Sequence, residues 1–372
     1  MDSLKILHVI RTPVGGAFRH LVDLAGGQAA RGHRVGIICD STTGGARAEA
    51  TLAALATSLP LGVTRLPIPR EPSPVDVTAV ARARRIVNEA KPDVVHGHGA
   101  KGGALARLAA DRSRIRVYTP HGGSLHYPPR SPQGLVYGVV ERLLMRRTEL
   151  FLFESEFAHQ RFAEVISPPR GLVRVVHNGV RPEEFDPAEP RPDATDLVFV
   201  GELRKIKGPD LLIDAVAQLQ RTGRKASLTL VGEGDQSEAL RQQVARLGLS
   251  ASVRFAGFQP ARTAFGMGRI LVIPSRNESL PYVAIEAAAA GLPVVAARIG
   301  GIPEIFGDQS DRLVNPDDAD ALAQAVSWAL DHPVELASKT SVLRERVRQG
   351  FSQNAMVDGI LAGYAEASHI VV

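Results

Sequence analysis

The sequence contains little cysteine and few aromatic residues. Its single cysteine, Cys39, excludes a disulfide framework within the chain and favours a reducing compartment. Phe, Trp and Tyr make up only 5% of the 372 residues, which argues against an aromatic stacking platform for single-stranded nucleic acid. We therefore expect a cytoplasmic protein with no nucleic-acid partner.

Long hydrophobic runs are also missing. The N-terminal apolar segment is too short for the core of a secretory signal, and no run approaches the ~20 residues that span a bilayer. The longest apolar stretch, Val283–Ala297, is interrupted by Glu286, Gly291 and Pro293. The net charge of +5 favours anionic partners. Any membrane contact is therefore expected to be peripheral, at the inner face of the membrane.

The sequence alternates short β-rich runs with longer amphipathic patterns, which predicts α/β domains with parallel sheets covered by helices. The predicted strands are Leu4–Ile10, Arg34–Cys39, Val63–Pro67, Asp93–His96, Ile115–Thr119, Leu150–Phe153, Leu172–Val176, Asp196–Val200, Ser227–Val231, Val253–Phe255, Ile270–Ile273, Val294–Ala296 and Arg312–Val314. The predicted helices are Phe18–Arg31, Val75–Ala90, Leu135–Arg147, Pro209–Gln220, Ser237–Leu247, Tyr282–Ala290, Ala319–Leu330 and a tail helix, Val342–Ala367.

A proline-rich segment divides this alternation. Four prolines between Arg181 and Pro192 cannot sustain a helix or a central strand, so we predict a linker over 181–195. The predicted domains are 1–180 and 196–350, and the C-terminal helix occupies 351–372. Ligands of such sheets lie beyond the carboxyl ends of the strands.

Two candidate sites follow strands of the first domain. Gly15 and Gly16 follow the first strand, where backbone amides can approach a phosphate at a helix start, although a plain tight turn also explains them. His121 precedes two glycines and can reach a ligand or serve as a structural hydrogen-bonding group. His96 and His98 have a spacing that suits a metal, but no cysteine or acidic third ligand is near them in the sequence, which predicts no metal site.

The segment Gly201–Gly208 carries three cations, Arg204, Lys205 and Lys207, just before a predicted helix. Positive charge at a helix N-terminus opposes the helix dipole. An anion bound between the cations and the helix end removes this conflict, so the segment predicts a phosphate site. The alternative is a solvated basic loop.

Two glutamates lie near the start of the helix predicted at 282–290. Glu278 lies just before that helix, and Glu286 lies within it among Ala, Ile and Val residues. We expect Glu286 to be buried, with either sugar hydroxyls or a basic side chain as its partner. Ser279 fits the helix cap, and Pro281 fits the first helical turn.

Three further motifs have simpler interpretations. Gly300-Gly301 either supplies amides to a ligand or forms a connection. Gly232-Glu233-Gly234 lacks the third glycine of a dinucleotide-binding loop. Asp318-Ala319-Asp320 mimics the D-x-D metal motif, but we interpret it as the acidic start of a helix.

Taken in order, these motifs resemble those of the family four glycosyltransferases, which are retaining enzymes of the GT-B fold. The resemblance runs from the Gly-Gly loop through the His-Gly loop, Val176–Val180 and Gly201–Gly208 to the E-x7-E pair and the Gly-Gly-x-Pro-Glu motif. It implies two Rossmann-like domains with parallel sheets that face each other across a cleft. The tail helix would cross back onto the N-terminal domain.

The resemblance also implies roles for individual residues. Lys207 would bind the donor diphosphate, Glu286 the ribose hydroxyls and Glu278 the transferred sugar. The implied catalytic residues are His121, Arg204, Lys207 and Glu278. The implied donor-binding residues are Gly15, Gly16, Gly201, Lys207, Glu278, Ser279, Leu280 and Glu286. The chain departs from the family at Leu203, where a second phosphate-binding cation is usual, and Arg204 would take its place.

The implied function is metal-independent, cofactor-free transfer of a hexose from a UDP or GDP sugar with retention. The acceptor would be a saccharide or a lipid-linked saccharide, in the synthesis of cell-surface polysaccharide or glycolipid. A non-catalytic nucleotide-sugar-binding protein and another GT-B enzyme, such as an epimerase, stay open as alternatives. Thr42–Arg47 and Leu125–Gln133 are candidate acceptor loops. The sequence leaves open the donor sugar, its base, the acceptor, the linkage and the oligomeric state.

Overall fold

The computed structural model describes residues 3–122 and 131–370, which fall into two compact units. Unit one consists of residues 1–178 together with 353–372, and unit two of residues 179–352. The segment predicted as a linker, 181–195, belongs to unit two, because Phe185 and Ala188 pack against the core of that unit. Most of the candidate acceptor loop Leu125–Gln133 lies outside the described residues.

The described part of unit one contains a sheet of seven parallel strands in the order β3-β2-β1-β4-β5-β6-β7. The strands are β1 Lys5–Ile10, β2 Arg34–Asp40, β3 Val63–Leu66, β4 Val94–His98, β5 Ile115–Thr119, β6 Leu150–Phe153 and β7 Leu172–Val175. The helices are α1 Gly15–Ala30, α2 Gly45–Ala56, α3 Val75–Ala90, α4 Gly99–Ala109, α5 Pro132–Leu144 and α6 Glu156–Val165, and the C-terminal helix of the chain also belongs to this unit.

Unit two contains a sheet of five parallel strands in the order β10-β9-β8-β11-β12. The strands are β8 Thr195–Val200, β9 Leu228–Val231, β10 Val253–Gly257, β11 Gly268–Ile273 and β12 Val294–Ala296. The helices are α7 Pro209–Arg221, α8 Ser237–Arg246, α9 Ala261–Phe265, α10 Tyr282–Ala289, α11 Ile302–Phe306, α12 Ala319–Asp331 and α13 Pro333–Gly350. Helix α14, Gln353–Ser368, then returns the chain to unit one.

Two sequence predictions of secondary structure are wrong. The predicted strand Arg312–Val314 is the end of a 3-10 helix, Gly307–Arg312, followed by a single parallel bridge between Val314 and Ala297. The predicted tail helix is two helices, α13 and α14, which are separated at Phe351 and Ser352. Phe351 is buried in the core of unit two, whereas Val357 on α14 is buried in unit one, so the helix breaks where the chain changes unit.

In each sheet the first strand lies in the interior, and the strand order runs outward from it in both directions. Strand β1 pairs with β2 and with β4, and β8 pairs with β9 and with β11. Connections that diverge in this way leave a crevice at the carboxyl ends of the two strands, where α/β proteins bind ligands. The relevant edges are those of β1 and β4 in unit one, and of β8 and β11 in unit two.

Membrane-spanning helices were sought over the same described residues. No helix there has both the length and the apolarity needed to cross a bilayer.

Candidate functional site

The loops that follow β8 and β11 meet through an ion pair between Lys207 and Glu278. Lys207 Nζ donates to both carboxylate oxygens of Glu278 at 2.8 Å, and Ser275 Oγ donates to one of them at 2.7 Å. Glu278 is only 6% exposed, whereas the Lys207 side chain is 32% exposed. The buried carboxylate is therefore satisfied by three hydrogen bonds, and the cation keeps a face toward solvent where an anion can approach.

Arg276 fixes the position of the lysine-bearing loop against the glutamate-bearing loop. Its backbone N–H donates to the carbonyl of Ile206 at 2.9 Å, and its guanidinium donates to the carbonyl of Lys205 at 2.6 Å. The guanidinium also makes a two-pronged ion pair with Asp210, at 2.8 Å for each bond. The Asp210 hydrogen bonds raise the pKa of Arg276 above its ordinary value.

Sequence reasoning missed Arg276. Its proximity in the sequence to Glu278 was the available signal, but the contacts with residues 205–210 depend on the pairing of β8 with β11.

Two glycines with positive φ let these loops approach each other. At Gly208, φ is +70° and a Cβ atom would lie 2.1 Å from the carbonyl oxygen of Pro274. At Gly300, φ is +60° and a Cβ atom would lie 2.0 Å from the carbonyl oxygen of Glu278. The next amide, that of Gly301, donates to the carbonyl of Ser279 at 2.6 Å. The Gly300-Gly301 turn thus supports the backbone that carries Glu278.

Replacing Gly300 by alanine is expected to destabilise unit two and to weaken nucleotide binding. The left-handed backbone alone costs an alanine about 1–2 kcal/mol, and the clash with the Glu278 carbonyl adds to that cost. Gly223→Ala is the matched control, since Gly223 has φ of +84° but an added Cβ would meet no atom within 4 Å. Urea unfolding and calorimetry with UDP measure both effects. Equal losses in the two variants would contradict the supporting role of Gly300.

The glycines of Gly232-Glu233-Gly234 also serve loop packing. A Cβ on Gly232 would lie 1.9 Å from the carbonyl oxygen of Gly201, and one on Gly234 would lie 2.3 Å from that of Leu203. This packing explains a glycine pair that follows a strand without being a dinucleotide-binding loop. Likewise Asp318 caps α12, because its Oδ1 accepts from the amide of Ala321 at 2.8 Å, which confirms its structural interpretation.

The structure corrects three expectations around α10. Glu286 is half-buried on this helix, so the prediction that it is the buried acid was wrong, and Glu278 is the buried carboxylate. Ser279 is not the cap, since α10 begins at Tyr282 and Pro281 occupies the N-cap position without a side-chain hydrogen bond. Leu280 is 4% exposed and belongs to the core of unit two, so its side chain faces the protein interior.

Leu203 and Arg204 lie at the start of the same lysine-bearing loop. Leu203 is 2% exposed and packs in the core of unit two, so its side chain faces the protein interior. Arg204 is exposed, and its guanidinium lies 3.3 Å from the carboxylate of Glu202. The carbonyl oxygen of Gly201 is the atom that the backbone of Gly232 packs against. Lys207 and Glu278, both predicted from the sequence, are in direct contact in the structure.

In unit one, the predicted glycines begin α1 beside a basic cavity. Gly15 is the first residue of α1, with φ of +73°, and Gly16 follows it at the exposed end of the helix. The neighbouring cavity has a volume of about 240 Å³. It is lined by Ile10, Arg11, Thr12, Val14, Ala17, Arg70, His98, Gly99, Ala100, Lys101, His121 and Tyr137. Lys101 is paired with Asp76 at 2.6 Å.

The candidate acceptor loop 42–47 lies near the same end of the sheet. The hydroxyl groups of Thr42 and Thr43 both donate to Asp40 at 2.7 Å, and α2 begins at Gly45.

Five histidines gather at the carboxyl edge of β1, β4 and β5, and they form the histidine cluster: His8, His20, His96, His98 and His121. The strand register explains part of this cluster, because His8 lies beside His96 and Ile10 beside His98. His121 follows β5 with a φ of +49°, an uncommon conformation outside glycine.

A chain of hydrogen bonds runs through the cluster. Gln28 Oε1 lies 2.8 Å from His8 Nε2, His8 Nδ1 lies 3.0 Å from His98 Nε2, and His98 Nδ1 lies 3.0 Å from His121 Nε2. Each neutral imidazole has one donor and one acceptor nitrogen. Because the Gln28 oxygen faces His8, each of the three rings in this series of hydrogen bonds, His8, His98 and His121, donates through Nε2.

The two remaining histidines have their own partners. His96 contacts Tyr364 Oη at 2.7 Å and Thr119 Oγ1 at 2.8 Å, and His20 Nδ1 contacts Asn178 Oδ1 at 2.9 Å. Among the described residues, His20 Nε2 is buried without a hydrogen-bond partner.

Burial keeps the cluster uncharged near neutral pH. Desolvation lowers the pKa of His8 to about 4 and those of His20 and His121 to about 3. Burial also lowers the pKa values of His96 and His98 well below the ordinary value. The fold brings His8, His20 and His121 to His96 and His98, so the neighbours that could complete a ligand set are histidines from distant parts of the sequence.

Comparisons with known proteins agree with this architecture. The family models described as Glycosyltransferase Family 4 and as Glycosyl transferases group 1 match residues 14–184 and 180–349. The D-inositol 3-phosphate glycosyltransferase of Mycolicibacterium smegmatis is 30% identical over 295 residues, which cover 74% of this chain and 67% of that protein.

A second relative is the glycogen synthase of Mycobacterium tuberculosis, which is 29% identical over 234 residues. That match covers 61% of this chain, and the chain spans 56% of the length of the synthase. The crystal structure of Anabaena HepE in complex with UDP superimposes with a TM-score of 0.79 at 21% identity, covering 98% of this chain and 100% of that one. The chain therefore belongs to the family four glycosyltransferases, and its two parallel α/β units have the GT-B fold.

Proposed function

We propose that the protein transfers a sugar from a UDP or GDP donor to an acceptor hydroxyl with retention of the anomeric configuration. The observation that carries this proposal is the Lys207–Glu278 pair at the carboxyl ends of β8 and β11. It combines a cation with a solvent-facing side and a carboxylate that accepts several hydrogen bonds. A pyrophosphate-linked sugar presents the complementary groups, an anion and hydroxyls.

The chemistry requires stabilisation of the diphosphate as it leaves the anomeric carbon. Lys207 supplies a positive charge, and the N-terminus of α7, which begins at Pro209, supplies a positive dipole end. Arg204 adds a second, exposed cation. The departing phosphate oxygen takes the proton of the acceptor hydroxyl, so the reaction needs no dedicated base. The two cations and the helix N-terminus neutralise the diphosphate in place of a metal.

The carboxylates fit recognition of the donor. Donor binding draws Lys207 toward the diphosphate, and Glu278 then accepts hydrogen bonds from the transferred hexose beside the backbone of Ser279 and Leu280. Glu286 binds the ribose hydroxyls.

Unit one supports an acceptor that carries negative charge. Arg11 and Arg70 line the cavity beside His121 together with Lys101, which is paired with Asp76, and the two arginines favour a phosphorylated or lipid-linked saccharide. The name of the mycobacterial inositol-phosphate relative points to the same chemistry. We place the protein in cell-surface polysaccharide or glycolipid synthesis, in the cytoplasm at the inner face of the membrane.

A panel of nucleotide sugars tests this proposal. A donor that raises the unfolding temperature is incubated with saccharide-phosphate acceptors in chelator, and product and free nucleotide are measured. Nucleotide release and a product with the donor's anomeric configuration in its NMR coupling constants are expected. An inverted product would indicate an inverting enzyme, and an isomerised free sugar an epimerase. Binding without nucleotide release for any donor would indicate a non-catalytic binding protein.

A further inference from the structure

The histidine cluster contains one buried nitrogen that the described hydrogen bonds leave unsatisfied. His20 is 2% exposed, and its Nδ1 is held by Asn178 at 2.9 Å, while its Nε2 has no partner among the described residues. Burying such a group without a hydrogen bond costs roughly 1–3 kcal/mol. A bound ligand that interacts with the lone pair of His20 Nε2 would remove this cost.

The surroundings of His20 supply further nitrogens. His20, His98 and His121 can each offer one ring nitrogen within 4.8 Å of the other two. The His20 ring lies 4.8 Å from the His121 ring and 5.8 Å from the His98 ring, measured between centroids. Because Asn178 occupies Nδ1 of His20, the nitrogen that His20 has available is Nε2.

We propose that His20, His98 and His121 bind one Zn²⁺ ion through three imidazole nitrogens. Zinc accepts neutral imidazole at about 2.0–2.1 Å in tetrahedral geometry, which places ligand nitrogens about 3.3 Å apart. His98 Nδ1 and His121 Nε2 are 3.0 Å apart. Binding requires ring rotations that open this pair by a few tenths of an ångström and draw His20 inward, and it moves the His121 proton from Nε2 to Nδ1 so that Nε2 offers its lone pair.

Outer hydrogen bonds orient two of these ligands. Metal-bound histidines usually donate their other ring N–H to an acceptor, which fixes the tautomer. His20 donates from Nδ1 to the side-chain Oδ1 of Asn178. His98 donates from Nε2 to His8 Nδ1, and His8 donates from Nε2 to Gln28 Oε1. Both rings thereby present a lone pair at the nitrogen that faces the proposed ion.

A second triad in the cluster does not have ring nitrogens available for an ion in the same way. His8, His96 and His98 also lie within 4.8 Å of one another. However, both nitrogens of His8 and both of His96 already have hydrogen-bond partners. An ion there would break bonds to Gln28, Tyr364 or Thr119, whereas the triad with His20 breaks only the contact between His98 and His121.

The proposed ion differs from any metal at the donor diphosphate, which is recognised in unit two. Three histidine ligands leave one coordination position open, and the cavity lined by His98 and His121 gives a water molecule access to it. This inference departs from the sequence prediction of no metal, and it does not depend on the proposed sugar transfer.

Chelator-stripped protein titrated with Zn²⁺ tests the site by calorimetry and by metal analysis after gel filtration. One tightly bound ion per chain is expected, and His20→Ala should weaken its binding by about 100-fold or more, since even outer-layer substitutions cost 10–100-fold. His159→Ala is the control, because His159 lies outside the cluster on α6 and contacts Glu156. It should bind Zn²⁺ as the unaltered protein does.

A second ligand variant and two spectroscopic measurements distinguish loss of the zinc site from loss of folding. His121→Ala removes a ligand at a half-buried loop position, and circular dichroism reports whether each variant folds. Co²⁺ in place of Zn²⁺ should give the intense visible absorption of a four-coordinate site, and both ligand variants should lose it. A buried water molecule at His20 Nε2, with no stoichiometric Zn²⁺, would overturn the proposal. Equal affinities for the unaltered, His20→Ala and His121→Ala proteins would do the same.

Discussion

Replacing Lys207 by alanine is expected to lower turnover by about 10²–10³-fold, the loss typical of removing one preorganised donor to a developing negative charge. The Lys207 ammonium group is the solvent-facing member of the pair with Glu278. This pair lies at the carboxyl ends of the neighbouring strands β8 and β11. Without it, the leaving diphosphate keeps only the helix N-terminus and the exposed Arg204. Steady-state release of nucleotide in the presence of acceptor measures the effect.

Two further variants separate this chemical loss from a folding defect. Lys225→Ala removes an exposed lysine near the start of β9, at the opposite end of the sheet, and should leave turnover unchanged. Lys207→Ala alone leaves the Glu278 carboxylate buried without its cation, which destabilises the fold. Adding Glu278→Gln removes that buried charge, so the double variant should regain stability but not turnover. Turnover by Lys207→Ala equal to that of Lys225→Ala would refute the role of Lys207.

Acidification from pH 7 to pH 5 is expected to destabilise the chelator-treated protein steeply. The folded-state pKa values of His8 and His20 are lowered to about 4 and about 3, whereas an unfolded histidine titrates near 6.5. Between these values the unfolded chain binds more protons, so the free energy of unfolding falls as pH falls. The stability is fully present above about pH 6.5 and is lost toward pH 4. Each histidine contributes about 1.4 kcal/mol per pH unit.

Urea unfolding followed by circular dichroism at several pH values measures this slope. More than one proton is expected to be taken up per chain on unfolding at pH 5, since His96 and His98 are also held neutral by burial. Replacing the fully buried His8 by Gln should flatten the slope, whereas His159→Gln outside the cluster should not. Unfolding free energies that are constant between pH 7 and pH 5 would mean that the cluster is solvated in solution.

The strands were the most predictable part of the fold. Ile115–Thr119, Leu150–Phe153 and Val294–Ala296 agree residue for residue with the sequence prediction. Central parallel strands are buried on both faces and therefore appear as short apolar runs bounded by turn residues. The single residue pair at Val314 was mistaken for a strand because a short apolar run does not reveal how many residues find a partner.

The site was predictable where charge and backbone conformation are encoded locally. The cations before Gly208 oppose the dipole of the following helix, and that conflict is visible in the sequence. Which carboxylate is buried was not visible, because Glu286 lies among apolar neighbours in the sequence but is half-buried in the fold. Glu278 is buried because Gly300 and Ser275 close around it, and both contacts depend on how β11 and its neighbours pack.

The sequence by itself therefore determined the alternation of strands and helices, the family motifs and the cationic loop, since each depends on neighbours along the chain. Only the tertiary structure decided that Arg276 joins the two loops of unit two and that five histidines share one buried edge of unit one. Those histidines lie between positions 8 and 121, and the strand order together with the position of helix α1, which carries His20, brings them together. Burial then sets their charge, because the cost of an ion depends on the surroundings that the fold creates.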